Sequence, residues 1–399
     1  VNPLQQAQVV LGVSGGIAAY KAADLASKLV QAGAVVDTVL TKSATAFIAP
    51  LTFQALTKRP VHEDMFEPWT ETSSGHVTLA GNADLVLVAP ASANTIAHLA
   101  LGLASDLLGV LALATTAPLL IAPAMEHHMF HHPATQGHLE TLRTRGATIV
   151  GPATGHLASG AVGDGRLAPV EDILGAARQL LGRSGALAQR HVVITAGGTR
   201  EPLDPVRYLG NGSSGAMGYA LAQAALDRGA ETTLISTVTN LLPPYGASVI
   251  PVQTALDMQD AVGTAVRDAD ALVMAAAVAD FRPELAAGQK IKKRPGTNQQ
   301  TVHLVQNPDI LASVEQPGLL KIGFAAETES MVKHATAKLH AKGLAFIVAN
   351  DAAATIGSAR SQATIISRDE PPQALALLDK TELADLILER LINALESKP

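Results

Sequence analysis

One pattern occurs twice in this chain and restricts its fold more than any other feature. In QVVLGVSGGIAAYKAADLASKLVQAGAVVDTVLT, an apolar run from Val9 to Val13 meets a Ser-Gly-Gly turn. A helical pattern follows, with Ala18, Ala22, Leu25 and Leu29 on one face, and Gly33 ends it before a second apolar run, Val35 to Leu40. Two continuous apolar runs around a 3.6-period segment predict a strand–helix–strand unit. Its right-handed crossover makes the strands parallel. The pattern restarts at HVVITAGGTREPLDPVRYLGNGSSGAMGYALAQAALDRGAETTLIST. The small-residue stretch LGRSGALAQ, 181–189, reads as a linker between the two. The expectation is α/β: two doubly wound, mostly parallel Rossmann-like domains in tandem, 1–186 and 187–399.

Further strand candidates are ADLVLVAP, PLLIAP and ATIV in the first half, then ASVIPV, ALVMAAAV, LKIGFAAE, AFIVAN and ATIISR. With 48% hydrophobic residues and only 3% aromatics, the core is built from Ala, Val, Leu and Ile. That suits close helix–sheet packing. Two strands end alike, LVAPAS (87–92) and LIAPAM (120–125). Proline stops the ladder there. Ligands of such sheets lie beyond the carboxyl ends of the strands. Ser92–Thr95 and Met125–Met129 are therefore expected on a binding rim.

The bulk numbers exclude several classes. A net charge of −6 gives no electrostatic case for nucleic acid as a partner. The absence of cysteine removes disulfides, thiolate-bound metals and a cysteine nucleophile. VNPLQQAQ lacks the basic start and apolar core of a signal peptide. Leu107 to Met125 carries no charge and is about as long as a bilayer span. Gly109, Thr115–Thr116 and Pro118 divide it, so a buried helix, a turn and a core strand are expected, with no membrane partner.

Gly12-Val-Ser-Gly-Gly16 matches the nucleophile elbow G-x-S-x-G. It follows the first strand, and no oxyanion motif precedes it, so a phosphate cradle is the better reading. Gly210-Asn-Gly-Ser-Ser-Gly215 matches G-x-G-x-x-G but stands well beyond its strand. No acidic residue closes either second strand to hold a ribose, which argues against a plain NAD site. KIKKRP (290–295) concentrates positive charge suited to a polyphosphate, and Asp280 ends a strand. PAMEHHMFHH brings Glu126 and four histidines together. His127 and His131, or His128 and His132, share a helix face. The order H-E-x-x-H is absent, and HHPATQ reads as a helix start, so a metal site is not expected. His76 stands alone.

Taken together, LGVSGGIAAYK, SGHV, PASANTIA, PAMEHHM, TAGGTREPLDPVRYLGNGSSG, AAAVADF, KIKK, NPDIL, GFAAET and VAND resemble one family. It is the bifunctional phosphopantothenoylcysteine decarboxylase/phosphopantothenate–cysteine ligase family of coenzyme A synthesis. The motifs keep their order over nearly the whole chain. The resemblance implies FMN in the first half, held by Ser14, Gly15, Gly16, Ile17, Thr41, Ser92, Ala93, Asn94 and Thr95. It implies oxidation of a cysteinyl thiol, loss of CO2 to an enethiol, and reduction of that enethiol. His76 matches the catalytic base. For the second half it implies CTP and Mg2+. The nucleotide contacts are Asp280, Lys290, Pro308, Asp309, Ile310, Phe324, Lys338 and Lys342. Phosphopantothenate meets Arg207, Asn211 and Ala277, and Asn211 and Lys290 are catalytic. A cytoplasmic homo-oligomer is implied, a dodecamer of trimers and dimers.

Four positions depart from the family pattern. Glu126 replaces an asparagine, Ser159 a cysteine, Ala216 a lysine and Ser105 an asparagine. An ionised glutamate cannot donate to a carboxylate as an amide can. Serine is a far weaker acid than the cysteine that gives the last proton. Glu126 becomes the candidate replacement acid. The alternative is a ligase whose flavin half stops at the enethiol or is structural.

Overall fold

The computed structural model describes residues 1–66, 75–158, 160–292, 299–327, 330–351, 360–368 and 370–397. They form two compact units, Asn2–Gly182 and Arg183–Pro399 with Val1.

In the first unit β1 (Gln8–Val13), β2 (Val35–Leu40), β3 (Val61–His62), β4 (Leu85–Ala91), β5 (Leu119–Pro123) and β6 (Thr148–Ile149) make one parallel sheet. Its order is β3-β2-β1-β4-β5-β6, the doubly wound order, which reverses direction between β1 and β4. Every residue of β4 is buried, which is why LVLVAPA shows no alternation. The helix Ala19–Gln31 buries Ala19, Ala22, Leu25, Ala26 and Leu29. Ala18, expected on that face, is its N-cap instead. Fully burying Leu25 or Leu29 contributes roughly 1.5–3 kcal/mol each.

The uncharged stretch divides as expected. The helix Leu107–Ala114 is capped by Asp106, whose carboxylate accepts from Gly109 N at 2.8 Å, and it stops at Thr115 before β5. Among the described residues no helix is long and apolar enough to cross a membrane. An antiparallel hairpin follows β6: β7 (Ala153–His156) and β8 (Val162–Arg166). Nothing in the strand reading anticipated it.

The second unit contains β9 (His191–Ala196), β10 (Arg200–Pro202), β11 (Tyr208–Gly210), β12 (Glu231–Ser236), β13 (Ser248–Pro251) and β14 (Ala271–Met274). It continues with β15 (Phe281–Pro283), β16 (Leu304–Gln306), β17 (Leu320–Glu327), β18 (Phe346–Asp351), β19 (Arg360–Ser367) and β20 (Gln373–Asp379). The main sheet runs β13-β12-β9-β14-β17-β18-β19-β20. It is parallel through β18, and β19 and β20 are antiparallel. The segment 352–359 between β18 and β19 is too short for a parallel crossover, which takes about a dozen residues. Two small ribbons, β10–β11 and β15–β16, stand off the sheet.

Candidate functional site

In the first unit a cavity of about 640 Å³ opens where the strand order reverses. Ser14, Gly15, Gly16 and Ile17 line it after β1, Ser92 and Ala93 after β4, and Met125, Glu126 and Met129 after β5. Ser14 is fully buried. Its hydroxyl donates to Pro90 O at 2.8 Å and accepts from Ser92 N at 2.8 Å. A Cβ at Gly15 would run into the backbone of Ser43, so only glycine fits. Ser92 caps the helix Ala93–Leu101 through Thr95 N. A helix N-terminus at the cavity wall favours an anion.

Four expected residues do not line this cavity. Thr41 is half-buried and its hydroxyl accepts from Ala44 N at 3.3 Å. Asn94 is exposed, and Thr95 is buried against the Ser92 hydroxyl at 3.1 Å. His76 is half-buried at the start of the helix Gly75–Asn82. Ser159 lies outside the described residues. The cavity also gathers Lys21, His156 and Arg166, which the motifs did not mark. Burial, then the nearby Arg166 cation, pushes the Lys21 pKa down. Lys21 stands in the last position of LGVSGGIAAYK, and its place early in the helix Ala19–Gln31 was the available signal.

The histidine stretch forms two helices, His127–His131 and Pro133–Thr144, separated at His132. Glu126 is the N-cap of the first. Its Oε2 accepts from His128 N at 2.7 Å and Met129 N at 3.4 Å. Two histidines are tied to the hairpin rather than merely opening a helix. His127 Nδ1 accepts from Asp164 N at 3.1 Å, and His131 Nε2 lies 3.1 Å from Asp164 Oδ2. Thr154 donates to Asp164 Oδ1 at 2.5 Å. The Thr154 hydroxyl, then the His131 ring, holds the Asp164 carboxyl below its ordinary pKa. His127, His131 and Asp164 converge closely enough to hold a metal ion. In the structure the same groups are engaged with one another: His127 Nδ1 accepts from the Asp164 amide, and the Asp164 carboxylate lies against His131 and Thr154. The cluster is a latch between the helix His127–His131 and the hairpin. Met125 N donates to Gly165 O at 2.9 Å, and a Cβ at Gly165 would meet the Met125 carbonyl.

In the second unit a cavity of about 510 Å³ lies beyond the carboxyl ends of β14, β17 and β18. Asn211, Ala277, Asp280, Pro308, Asp309, Ile310, Phe324, Lys338 and Lys342 all line it. Asn211 Nδ2 donates to Val278 O at 3.1 Å, which fixes the loop after β11 to the loop after β14. Asn307 is buried and donates to Ala279 O at 2.8 Å, seating the Pro308–Ile310 turn. Asp309 caps the short helix Ile310–Ser313 and pairs with Lys342 at 2.9 Å. Burial pushes the Asp309 pKa up, but Lys342, the Ala312 amide and Lys338 hold it below the ordinary value. Ala216 and Lys380 also face the cavity. Burial lowers the Lys380 pKa. Arg207 and Lys290 do not line it. Arg207 pairs with Asp204, and Lys290 is exposed; from residue 293 KIKKRP lies outside the described residues.

The family model described as "Flavoprotein" matches residues 2–182, and that of the "DNA/pantothenate metabolism flavoprotein C-terminal domain" matches 187–395. The coenzyme A biosynthesis bifunctional protein CoaBC of Vibrio parahaemolyticus is 44% identical over 391 residues, 96% of this chain and 97% of the relative. The chain belongs to the CoaBC family. The CoaBC protein of Bacillus subtilis is 43% identical over 396 residues, covering 97% of both chains. That of Escherichia coli K12 is 40% identical over 399 residues, covering 98% of both. The two matched family models fall on the two compact units, each of which holds one of the cavities described above. As a member of the family this is a bifunctional enzyme of coenzyme A biosynthesis, with a decarboxylase half followed by a ligase half.

Proposed function

We propose that residues 187–399 join 4'-phosphopantothenate to cysteine at the expense of CTP, and that residues 1–186 decarboxylate the product with FMN to 4'-phosphopantetheine. The convergence of nine expected contacts on the second-unit cavity carries this reading. A carboxylate oxygen of phosphopantothenate attacks the α-phosphorus of CTP and pyrophosphate leaves. The cysteine amine then displaces CMP from the acyl-cytidylate. Both steps gather negative charge, so the protein's work is positioning and electrostatic stabilisation. Lys338 and Lys342 supply cations in the cavity, and Lys290 supplies one from outside its wall. Asn211 and Ala277 form the edge for the acyl group, with Arg207 nearby in sequence. Mg2+ travels with the nucleotide, and its protein ligands stay unassigned.

The first-unit cavity suits FMN. The Gly15 turn, the buried Ser14 and the helix N-terminus after Ser92 make a phosphate cradle, and Ile17 is an exposed apolar wall. Bound FMN supplies an acceptor and donor of an electron pair. His76 is assigned the proton removed from the substrate thiol. Glu126 stands on the cavity wall, and among the described residues its Oε1 has no partner. It is assigned the last proton, with Ser159 the competing donor. A cytoplasmic homo-oligomer, by resemblance a dodecamer, completes the reading. A ligase whose flavin half stops at the enethiol is the second reading, favoured by Glu126 and Ser159.

Product mass after incubation with phosphopantothenate, cysteine and CTP tests this. Phosphopantetheine is expected. Phosphopantothenoylcysteine alone removes the decarboxylase, the enethiol selects the second reading, and no CTP-dependent product removes the ligase.

A further inference from the structure

We infer that Asp204 is a positioning residue of the ligase half, holding the strap that carries Lys290. The inference rests on Lys290 serving the ligase reaction. Asp204 lies in the turn between β10 and β11, with its side chain fully buried. Its Oδ1 accepts from Val206 N and Arg207 N, each at 2.9 Å. Those two bonds close the turn. Its Oδ2 accepts from Arg207 Nε at 3.0 Å, Arg207 Nη2 at 2.6 Å and Ile291 N at 3.1 Å. The turn has no use for the last of these. Arg207 Nη2 donates onward to Ile291 O at 2.7 Å. Both backbone groups of Ile291 are therefore gripped, one by each member of an ion pair.

The strap is otherwise bare coil. Residues 284–292 form no helix or strand, and Gly288, Gln289 and Lys290 are exposed. It starts from Glu284, whose N donates to His303 O at 2.9 Å, and nearer Lys290 it is fastened by Ala287 N to Leu203 O at 2.9 Å, on the same turn. Lys290 thus sits between two anchors that both end on residues 203–207. Ordering such coil costs backbone conformational entropy. Meeting that cost before the substrates arrive is what lets a lysine act as a placed charge rather than a diffuse one. The same turn leads through β11 to Asn211 on the cavity wall, so Asp204 fixes strap and wall to one frame. Burial opposes ionisation of Asp204, but Arg207 and three amides hold its pKa far below the usual carboxylate range. Those same contacts favour the charged form of the clasp.

The test uses the full chain and CTP-dependent pyrophosphate release with phosphopantothenate and Mg2+. Asp204→Asn is expected to lower kcat by about tenfold or more, with decarboxylation of phosphopantothenoylcysteine unchanged. Amide exchange across 287–292 is expected to accelerate while β14 keeps its protection. Asp204→Asn/Lys290→Gln is expected to be no slower than Lys290→Gln. Losses that multiply in the double variant overturn the inference, as does wild-type exchange in the strap. Faster exchange in β14 as well would make Asp204 a general structural residue and overturn it too. A Lys290→Gln enzyme at the wild-type rate would instead refute the reading of Lys290 on which the inference rests.

Discussion

The amide of Ser92 donates to the hydroxyl of Ser14 at 2.8 Å, joining the loops after β4 and β1 across the point where the strand order reverses. The same hydroxyl satisfies the Pro90 carbonyl. One buried side chain thus serves two backbone groups, the buried Pro90 carbonyl and the amide of half-buried Ser92, and both loops line the proposed flavin cavity. Removing a buried partner costs about 1–3 kcal/mol because the groups left behind stay desolvated. Ser14→Ala is expected to lower the stability of the first unit by that amount and to weaken FMN binding. Thermal unfolding and fluorescence titration with FMN measure the two effects. Unchanged values in both would remove Ser14 from the cradle.

Gly165 reports on the hairpin. Its φ is +141°, and a Cβ there would meet the Met125 carbonyl. Met125 N also donates to Gly165 O. Gly165→Ala is expected to push β8 off the Pro123–Met129 loop and to lower decarboxylation at least tenfold. Ligation is expected to hold its rate, since that cavity belongs to the other unit. Parallel rate measurements on the two half-reactions check this. Equal loss in both would mean the substitution disturbs the whole chain.

Much of the parallel framework was legible in the sequence. The runs Val9–Val13, Leu85–Ala91 and Val192–Ala196 are almost wholly apolar; glycine turns mark the carboxyl ends of the first and third, and Pro90 marks that of the second. Of the antiparallel additions, β19 was legible as the strand ATIISR but not in its direction, and the others were not legible. β20, QALALLD, alternates weakly and runs into KTELADLILERL, whose 3.6 period masks it. β10 with β11 and β15 with β16 are three-residue ribbons, too short for any periodicity. The site divides in the same way. Asp280, expected at a strand end, stands six residues beyond β14, and Pro308–Ile310, marked only by the resemblance, follow the short β16; all of them line the second-unit cavity. Lys21, His156 and Arg166 reached theirs from a helix face and a hairpin, where a lone charge carries no pattern. The Asp164 latch was invisible for a related reason: it joins residues from 127 to 164 that no local spacing relates.

Lys342 and Asp309 should behave as a coupled pair. They sit 2.9 Å apart on the second-unit cavity. Lys342→Ala removes a cation and leaves Asp309 facing the proposed nucleotide site. KM for CTP is expected to rise tenfold or more. Asp309→Asn in that background is expected to recover part of the loss, because the asparagine still caps the short helix but no longer repels phosphate. The folded pKa of Asp309 is depressed. Its pairing is therefore complete above the ordinary aspartate range of about 4, and it is lost only as pH falls through the lower folded value. The KM for CTP is expected to show no break assignable to Asp309 between about pH 6 and pH 8. A double variant as impaired as Lys342→Ala alone would mean that the pair is not coupled.

Glu126 poses the sharpest mechanistic question. It occupies a cavity-lining cap position, with Oε2 bonded to two amides of the helix His127–His131. A cap of this kind is worth about 1 kcal/mol. Glutamine offers the same acceptor oxygen, so Glu126→Gln is expected to keep most of the cap, with only a small change in thermal midpoint. What glutamine lacks is a transferable proton. If Glu126 gives the last proton, the variant is expected to accumulate the enethiol, lighter than phosphopantetheine by one pair of hydrogens. CO2 release should continue at nearly the wild-type rate, since that step precedes the protonation. Mass spectrometry of the product and trapping of labelled CO2 separate the two steps. Phosphopantetheine formed at the full rate by Glu126→Gln would eliminate Glu126 as the acid and turn attention to Ser159. Loss of CO2 release together with the product would instead assign Glu126 to binding the substrate carboxylate.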